Sequence, residues 1–123
     1  MPPEAPAHLG CGTAKPSTTE VMMPDILWSD PVPDSNANVL FTFGDTLLKL
    51  PRSGYHDTDW GDRSMTRSVV GWYWGRGCLG PYFLVWFYGT DLAGKTYGSS
   101  YVAKGDKILS ASCKAGGDVT VTQ

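Results

Sequence analysis

Hydrophobic and polar residues alternate along most of the chain after residue 38, with the two-residue period of a half-buried β-strand. No stretch of useful length has the 3.6-residue period of a helix. The predicted strands are residues 39–43, 46–50, 66–74, 82–88, 96–103 and 107–113, with 119–121 as a short seventh candidate. Short turns join them, such as Gly44-Asp45, which has the length and leading glycine of a tight hairpin. The pattern predicts an all-β fold with an antiparallel meander.

One predicted strand, residues 82–88, is apolar on both faces, so both faces are expected to be covered. This strand is therefore predicted to be central in its sheet. A closed barrel of the lipocalin type needs about eight strands, which is more than the pattern supplies. We therefore predict a partial lipocalin-like (calycin-type) β-barrel over residues 39–123. The strands that would close it are expected on a missing domain or on a second copy.

Residues 1–38 hold most of the nine prolines and are predicted to form an irregular, extended strap. Within the strap, residues 25–28 are expected to pack an apolar patch on the body rather than to take part in chemistry. Residues 51–62 have no periodicity and are rich in Gly, Asp and Arg, so they are predicted to form a loop. Loops on a rigid scaffold often carry functional residues.

Composition narrows the classes of protein and partner. A chain of 123 residues, 41% of them hydrophobic, is enough for one domain with a core. Its net charge of −2 supplies no basic face, so no nucleic-acid partner is expected. No apolar run reaches the roughly 18–20 residues that span a bilayer. The first residues lack the pattern of a secretion signal, and we expect a cytoplasmic protein.

The sequence contains few metal ligands and no nucleotide motif. Cys11, Cys78 and Cys113 have no C-x-x-C spacing; one disulfide is an alternative, but reduced thiols are favoured. With only His8 and His56 as histidines, no metal site is expected. No glycine-rich phosphate loop opens a helix, so no nucleotide cofactor is expected either.

The stretch from residue 54 to 87 combines four of the five tryptophans with several titratable groups. Trp72, Trp74 and Trp86 occupy alternating strand positions. They either line a cavity for a flat or polyene ligand or fill the core, where aromatic residues are common. The stretch is therefore the candidate site.

The titratable residues of this stretch admit two interpretations each. Asp57 and Asp59 form a pair in which different surroundings can make one an acid and the other a base, or Asp57 caps the loop by accepting backbone N–H bonds. His56 is either an acid–base group or a structural hydrogen-bonding partner. Arg76 either binds a carbonyl or enolate oxygen or, slightly favoured, pairs with Asp57 or Asp59.

Short motifs in this stretch carry a family resemblance. They are GYHDTDWG at residues 54–61, WYWGR at 72–76, LGPY at 79–82 and VWF at 85–87. They resemble the fungal Diels–Alderase and hydroxyneurosporene-synthase-like proteins of secondary metabolism, which are built from two lipocalin-like β domains. Similar flanking pieces extend the match through most of residues 25–109.

The resemblance implies a cofactor-free enzyme with a small hydrophobic substrate. Family members cyclise polyene polyketide or polyketide–amino acid intermediates, or add water to a C=C bond, as in isoprenoid or flavonoid-like substrates. Together with the pattern above, it gives His56, Asp57, Asp59 and Arg76 as candidate catalytic residues. The candidate substrate-binding residues are Tyr55, Trp60, Trp72, Trp74, Tyr82 and Trp86.

Two departures from the family bear on function. Members tend to carry Asn where this chain has Asp59, and they are much longer, so the chain resembles a fragment of their first domain.

The first hypothesis is an intramolecular Diels–Alder cyclase. The alternatives are a hydratase and a non-catalytic, truncated binding or interaction module.

Overall fold

The computed structural model describes residues 5–9, 21–114 and 120–122, and nearly all of this part is β-structure. The strands are β1 (His8–Leu9), β2 (Val21–Met23), β3 (Ile26–Phe43), β4 (Thr46–Trp60), β5 (Val69–Leu79), β6 (Tyr82–Asp91), β7 (Thr96–Lys104) and β8 (Lys107–Ser112). A short 3-10 helix, Met65–Arg67, lies between β4 and β5. In the described ranges, no helix has the length and hydrophobicity to cross a membrane.

The strands form two four-stranded antiparallel sheets. In the first sheet β3 pairs with β1, β2 and β4, and the second sheet is the meander β5-β6-β7-β8. The sheets do not close into a barrel. The prediction of an all-β antiparallel fold is therefore confirmed, and β6 is central between β5 and β7 as expected.

Both predicted hairpins form. Phe43 pairs with Thr46 across the first turn, and Gly44 there has a φ of +56°, which glycine adopts without the steric penalty of a side chain. At the second hairpin, Lys104 pairs with Lys107. Alternation and turn chemistry thus located these connections correctly.

Two segments predicted to be irregular are strands. The strap prediction for residues 1–38 is wrong at β1, at β2 and from Ile26, where β3 begins, and the loop prediction for residues 51–62 is wrong up to Trp60. Pro31 and Pro33 fit into β3 because its register with β4 shifts on both sides of Val32. Such bulges leave residues out of the ladder, so the missing proline N–H is tolerated.

Smaller differences concern strand ends and the cysteines. Strand β5 begins at Val69 rather than residue 66 and extends to Leu79 rather than residue 74, so only Gly80 and Pro81 separate it from β6. The seventh candidate strand is only partly described, and residues 120–122 are not in a strand. Cys113 is disulfide-bonded, so the expectation of a reduced thiol is wrong for this residue, whereas Cys78 is not in a disulfide. Cys11 lies outside the described residues.

The core lies between the two sheets. From the first sheet Ile26 and Trp28 are buried, and from the second Val85, Phe87 and Tyr101. Trp28 and Phe87 meet across the interior with ring centroids 6.2 Å apart. The patch expected from residues 25–28 therefore packs as predicted, and it belongs to the core rather than to the surface.

Candidate functional site

A cavity of about 280 Å³ lies between the sheets. Two strands supply most of its wall: β4 contributes two carboxylates and β5 contributes two indole rings. Trp74 shares a sheet face with the buried Phe87, its partner in the register. The lining residues are Asp57, Asp59, Met65, Trp72, Trp74 and Phe87. The cavity therefore has an acidic side and an aromatic side.

Asp57 is held in place by two hydrogen bonds to the same oxygen. Its Oδ2 accepts one from the indole N–H of Trp28, at 3.0 Å, and one from the hydroxyl of Tyr55, at 2.9 Å. Burial, the charge of Asp30 and the bond to Asp57 raise the pKa of Tyr55 above its usual range. The Tyr55 hydroxyl therefore stays protonated and donates, and the Asp57 carboxylate is fixed as an acceptor.

Asp59 lies in a different environment from Asp57. Burial, and secondarily the negative charge of Asp57, raise the pKa of Asp59. Desolvation disfavours a charged carboxylate, and a second carboxylate nearby adds to the effect. Two carboxyls in different environments thus line the same cavity, one with a raised pKa and one held by two hydrogen bonds, and such a difference allows one to act as an acid and the other as a base.

Arg76 lies beside the cavity and stacks on an aromatic ring. Its Cζ is 4.7 Å from the centroid of the Tyr55 ring, and that ring meets Trp74 edge-on at 5.6 Å. In the described ranges, no ion pair within 4.0 Å joins Arg76 to Asp57 or Asp59, so the predicted pairing is wrong. The guanidinium is held by a cation–π contact instead.

The sequence analysis missed a buried carboxyl behind this site. Asp30 is 0% exposed, and neither side-chain oxygen has a hydrogen-bond partner among the described residues. Burial and the charge of Asp57 raise the pKa of Asp30 to about 8. The charge of Arg76 and the N–H of Val32 offset part of this rise, although the Val32 N–H does not meet the geometry of a hydrogen bond. Asp30 therefore keeps its proton at neutral pH.

His8 is the cross-strand partner of Asp30 and is also buried. Its Nε2 lies 3.0 Å from the Ser99 hydroxyl, whereas its Nδ1 has no hydrogen-bond partner in the part of the chain that the structure describes. Burial lowers the pKa of His8 to about 4, so the ring is neutral. A spacing of two residues, which places alternate side chains of a strand on one face, joins Ile26, Trp28 and Asp30. The nearby prolines made this segment look irregular, so the pattern did not lead to a prediction that Asp30 is buried.

Several predicted residues lie away from the cavity. His56 is exposed and alternates with Asp57 along β4, so it points to the opposite face. Trp86 occupies the other face of β6 and covers Gly75, where an added Cβ would lie 2.1 Å from the indole. Trp60 borders a smaller cavity of about 180 Å³ that Asp59 also lines. The structure therefore does not bring Trp86 together with Trp72 and Trp74.

A second cavity, of about 670 Å³, lies elsewhere, near the β5–β6 and β7–β8 turns. Tyr82 lines it together with Cys78 and Lys104, and the Lys104 ammonium lies 5.6 Å from the Tyr82 ring centroid. This cavity lacks the carboxylate pair and the indole wall. In the described part of the chain, no three His, Cys, Asp or Glu side chains are placed to hold a metal ion.

Comparison with known proteins identifies the family. The chain is 39% identical over 110 residues to the quinolone epoxide rearrangement protein penF of Penicillium thymicola. It is 33% identical over 110 residues to the quinolone epoxide rearrangement protein asqO of Emericella nidulans. Each alignment covers 89% of this chain but 30% of the relative's length. No solved structure matches. Because residues 3–119 match the family model, the chain belongs to the Diels-Alderase-like family.

Proposed function

We propose that this chain supplies the acid–base and aromatic walls of a pocket in which fungal secondary metabolism isomerises a small organic molecule without a cofactor. The reaction we assign is the rearrangement of an epoxide on an aromatic, quinolone-type substrate. The observation that carries the proposal is the pair Asp57 and Asp59, which face one cavity from different surroundings. The names of the two relatives support the choice of an epoxide.

In this proposal Asp59 is the acid. It donates a proton to the epoxide oxygen as one C–O bond breaks, and the bonding pair goes to that oxygen. A neighbouring group then migrates to the electron-poor carbon, and loss of one proton restores neutrality. The proton returns to the Asp59 carboxylate, so the product is an isomer of the substrate. Acid catalysis of this kind contributes about 10²–10⁴-fold to a rate.

The other residues stabilise positive charge and orient the substrate. Indole faces attract cations, so Trp72 and Trp74 favour the electron-poor carbon that forms after C–O cleavage. The Asp57 carboxylate adds electrostatic stabilisation because Trp28 and Tyr55 fix its orientation. The Trp72 and Trp74 rings also stack against a flat aromatic substrate.

The test is incubation with a quinolone epoxide, followed by product analysis by mass spectrometry and NMR. We expect a rearranged isomer, and we expect Asp59→Asn to lower kcat about 10²-fold or more. Asp106→Asn, which changes an exposed carboxyl at the β7–β8 turn, is the matched control and should leave kcat unchanged. Unchanged turnover in Asp59→Asn would remove the acid from the proposal. Oxygen from labelled water in the product would show that water opens the epoxide, which would contradict a rearrangement; the hydratase alternative predicts incorporation of that label into a substrate with a C=C bond.

A second candidate is the intramolecular Diels–Alder cyclisation expected from the sequence. The position of Arg76 favours it, since this guanidinium lies beside the aromatic wall and forms no ion pair within the described part of the chain. In this candidate reaction its role is to polarise a dienophile carbonyl. A linear polyene substrate distinguishes the two reactions. Cyclisation that depends on Arg76 but tolerates Asp59→Asn would support the cycloaddition. Ligand binding that is unchanged in Asp57→Asn and Asp59→Asn, with no turnover of either substrate, would support the binding module.

A further inference from the structure

The β3–β4 hairpin ends in an arm, which we define as residues 39–50, and every residue of this arm is exposed. Its two strands pair with each other, and nothing in the described ranges covers either face. The register places Val39 opposite Leu50, Phe41 opposite Leu48 and Phe43 opposite Thr46. Directly opposed residues share a face of the sheet. One face, which we call the apolar face, therefore consists of Val39, Phe41, Phe43, Leu48 and Leu50 around a single threonine.

The apolar face is large for an uncovered surface. Phe43 is 76% exposed, Phe41 54% and Leu48 45%. Five side chains at about half exposure present on the order of 400 Å² of apolar surface. Patches of this size on a monomer are commonly interaction sites. The face carries no charged residue, and no proline blunts the hairpin between residues 39 and 50.

We propose that the apolar face of the arm docks against a β-domain of the Diels-Alderase-like family, corresponding to the portion of the relatives that has no counterpart in this chain. The alignments cover 89% of this chain but 30% of each relative, so more than two thirds of each relative lies outside the matched region. The match to the family includes the arm, since it covers residues 3–119. In each relative, the part of the chain outside the alignment is thus large enough to cover the corresponding hairpin.

The area argues for this partner over a second copy of the chain. Two arms packed face to face would bury about 800 Å² in total, which is the range of crystal contacts and below the roughly 1,200–2,000 Å² of a stable interface. A domain can also cover the second face, where Leu40 and Leu47 are exposed. In the described ranges β4 pairs only with β3, so its other edge is open to a further strand.

The experiment compares the isolated chain with a chimera in which this chain replaces the aligned third of the Penicillium thymicola relative. In a Cys78→Ser background, Leu48→Cys places a thiol on the apolar face. The control is Leu92→Cys, at another exposed position between β6 and β7, where the leucine is 64% exposed against 45% for Leu48. Maleimide labelling is followed at each site by peptide mass spectrometry. We expect position 48 to react at least tenfold more slowly in the chimera than in the isolated chain, with position 92 unchanged.

Equal labelling of position 48 in both proteins would overturn the proposal. So would slow, concentration-dependent labelling in the isolated chain, because it would identify a second copy as the occupant. A second pair of variants covers the case of a chimera that folds poorly. Phe41→Asp should lower the melting temperature of the chimera but not that of the isolated chain, whereas Leu92→Asp should lower neither. Equal effects of the two variants would also count against docking, and none of these outcomes depends on which reaction is catalysed.

Discussion

The buried carboxyl of Asp30 makes the stability of this protein depend on pH, and Asp30→Asn tests this dependence. Asp30 faces Asp57, Tyr55 and Arg76 of the site, together with His8 of β1 and Tyr101 of β7. Its pKa is raised in the folded state from 3.8 to about 8. The protonated Asp30 carboxyl therefore contributes its full stabilisation of the folded state below about pH 4, and this stabilisation is lost as the pH rises to about 8. Asparagine keeps the shape and removes the titration.

The magnitude follows from proton linkage. While the folded state holds one proton more than the unfolded state, the free energy of unfolding falls by about 1.4 kcal/mol per pH unit. His8 acts in the opposite sense, because its lowered pKa, from 6.5 to about 4, makes stability rise with pH in that window. Between about pH 4 and 6.5 the two effects nearly cancel, at about 3 kcal/mol each. Between pH 6.5 and 8 only the loss from Asp30 is left, about 1.5–2 kcal/mol.

Urea unfolding followed by tryptophan fluorescence at several pH values measures this change. The parent chain should lose about 1.5–2 kcal/mol of unfolding free energy between pH 6.5 and 8, and Asp30→Asn should lose almost none. His8→Gln is the complementary variant, because it removes the titration that opposes that of Asp30. In this variant the free energy of unfolding should fall with pH from about pH 4 onward. The carboxyl ¹³C resonance of Asp30 should titrate near pH 8. The same loss above pH 6.5 in Asp30→Asn would refute the reasoning.

Two further predictions concern close contacts. Gly75→Ala should destabilise the fold by about 1–2 kcal/mol, because the new methyl group displaces the Trp86 ring and re-exposes apolar area. Gly71→Ala, where an added Cβ meets nothing within 4 Å, should stay within about 1 kcal/mol of the parent in the same thermal melts. Trp28→Phe should cost about 1–2 kcal/mol, since Asp57 loses one of its two donors. Equal melting temperatures for Trp28→Phe and the parent would show that this bond does not stabilise the fold.

Local patterns predicted the parts of the fold that depend on local chemistry. The hairpin at Gly44 and the central position of β6 follow from turn residues and from two apolar faces, both of which are visible in a short window. Trp72 and Trp74 were expected on one face because they alternate along a predicted strand, and both line the cavity together with Asp57 and Asp59, which were paired by their spacing within a predicted loop. Alternation therefore identifies which residues share a face.

Alternation does not show which faces of different strands meet. Trp86 was grouped with Trp72 and Trp74, but the register pairs it with Gly75, so it lies on the opposite face of the sheet. A shift of one residue between strands reverses every side chain, and no property of a single strand fixes that shift. His56 was misplaced for a related reason: a segment predicted to be a loop has no alternation to apply, whereas β4 points this side chain to solvent.

The interval between Ile26 and Ser35 shows how the proline-rich segment becomes part of the site. Its bulges around Val32 absorb Pro31 and Pro33, so β3 stays paired with β4 on both sides of them. The paired part positions Trp28 to donate to Asp57, and it buries Asp30 behind the same carboxylate. One end of β3 thus orients the acceptor of the cavity, while its other end forms the exposed arm. One continuous strand therefore carries both the residue that orients Asp57 and half of the proposed docking surface.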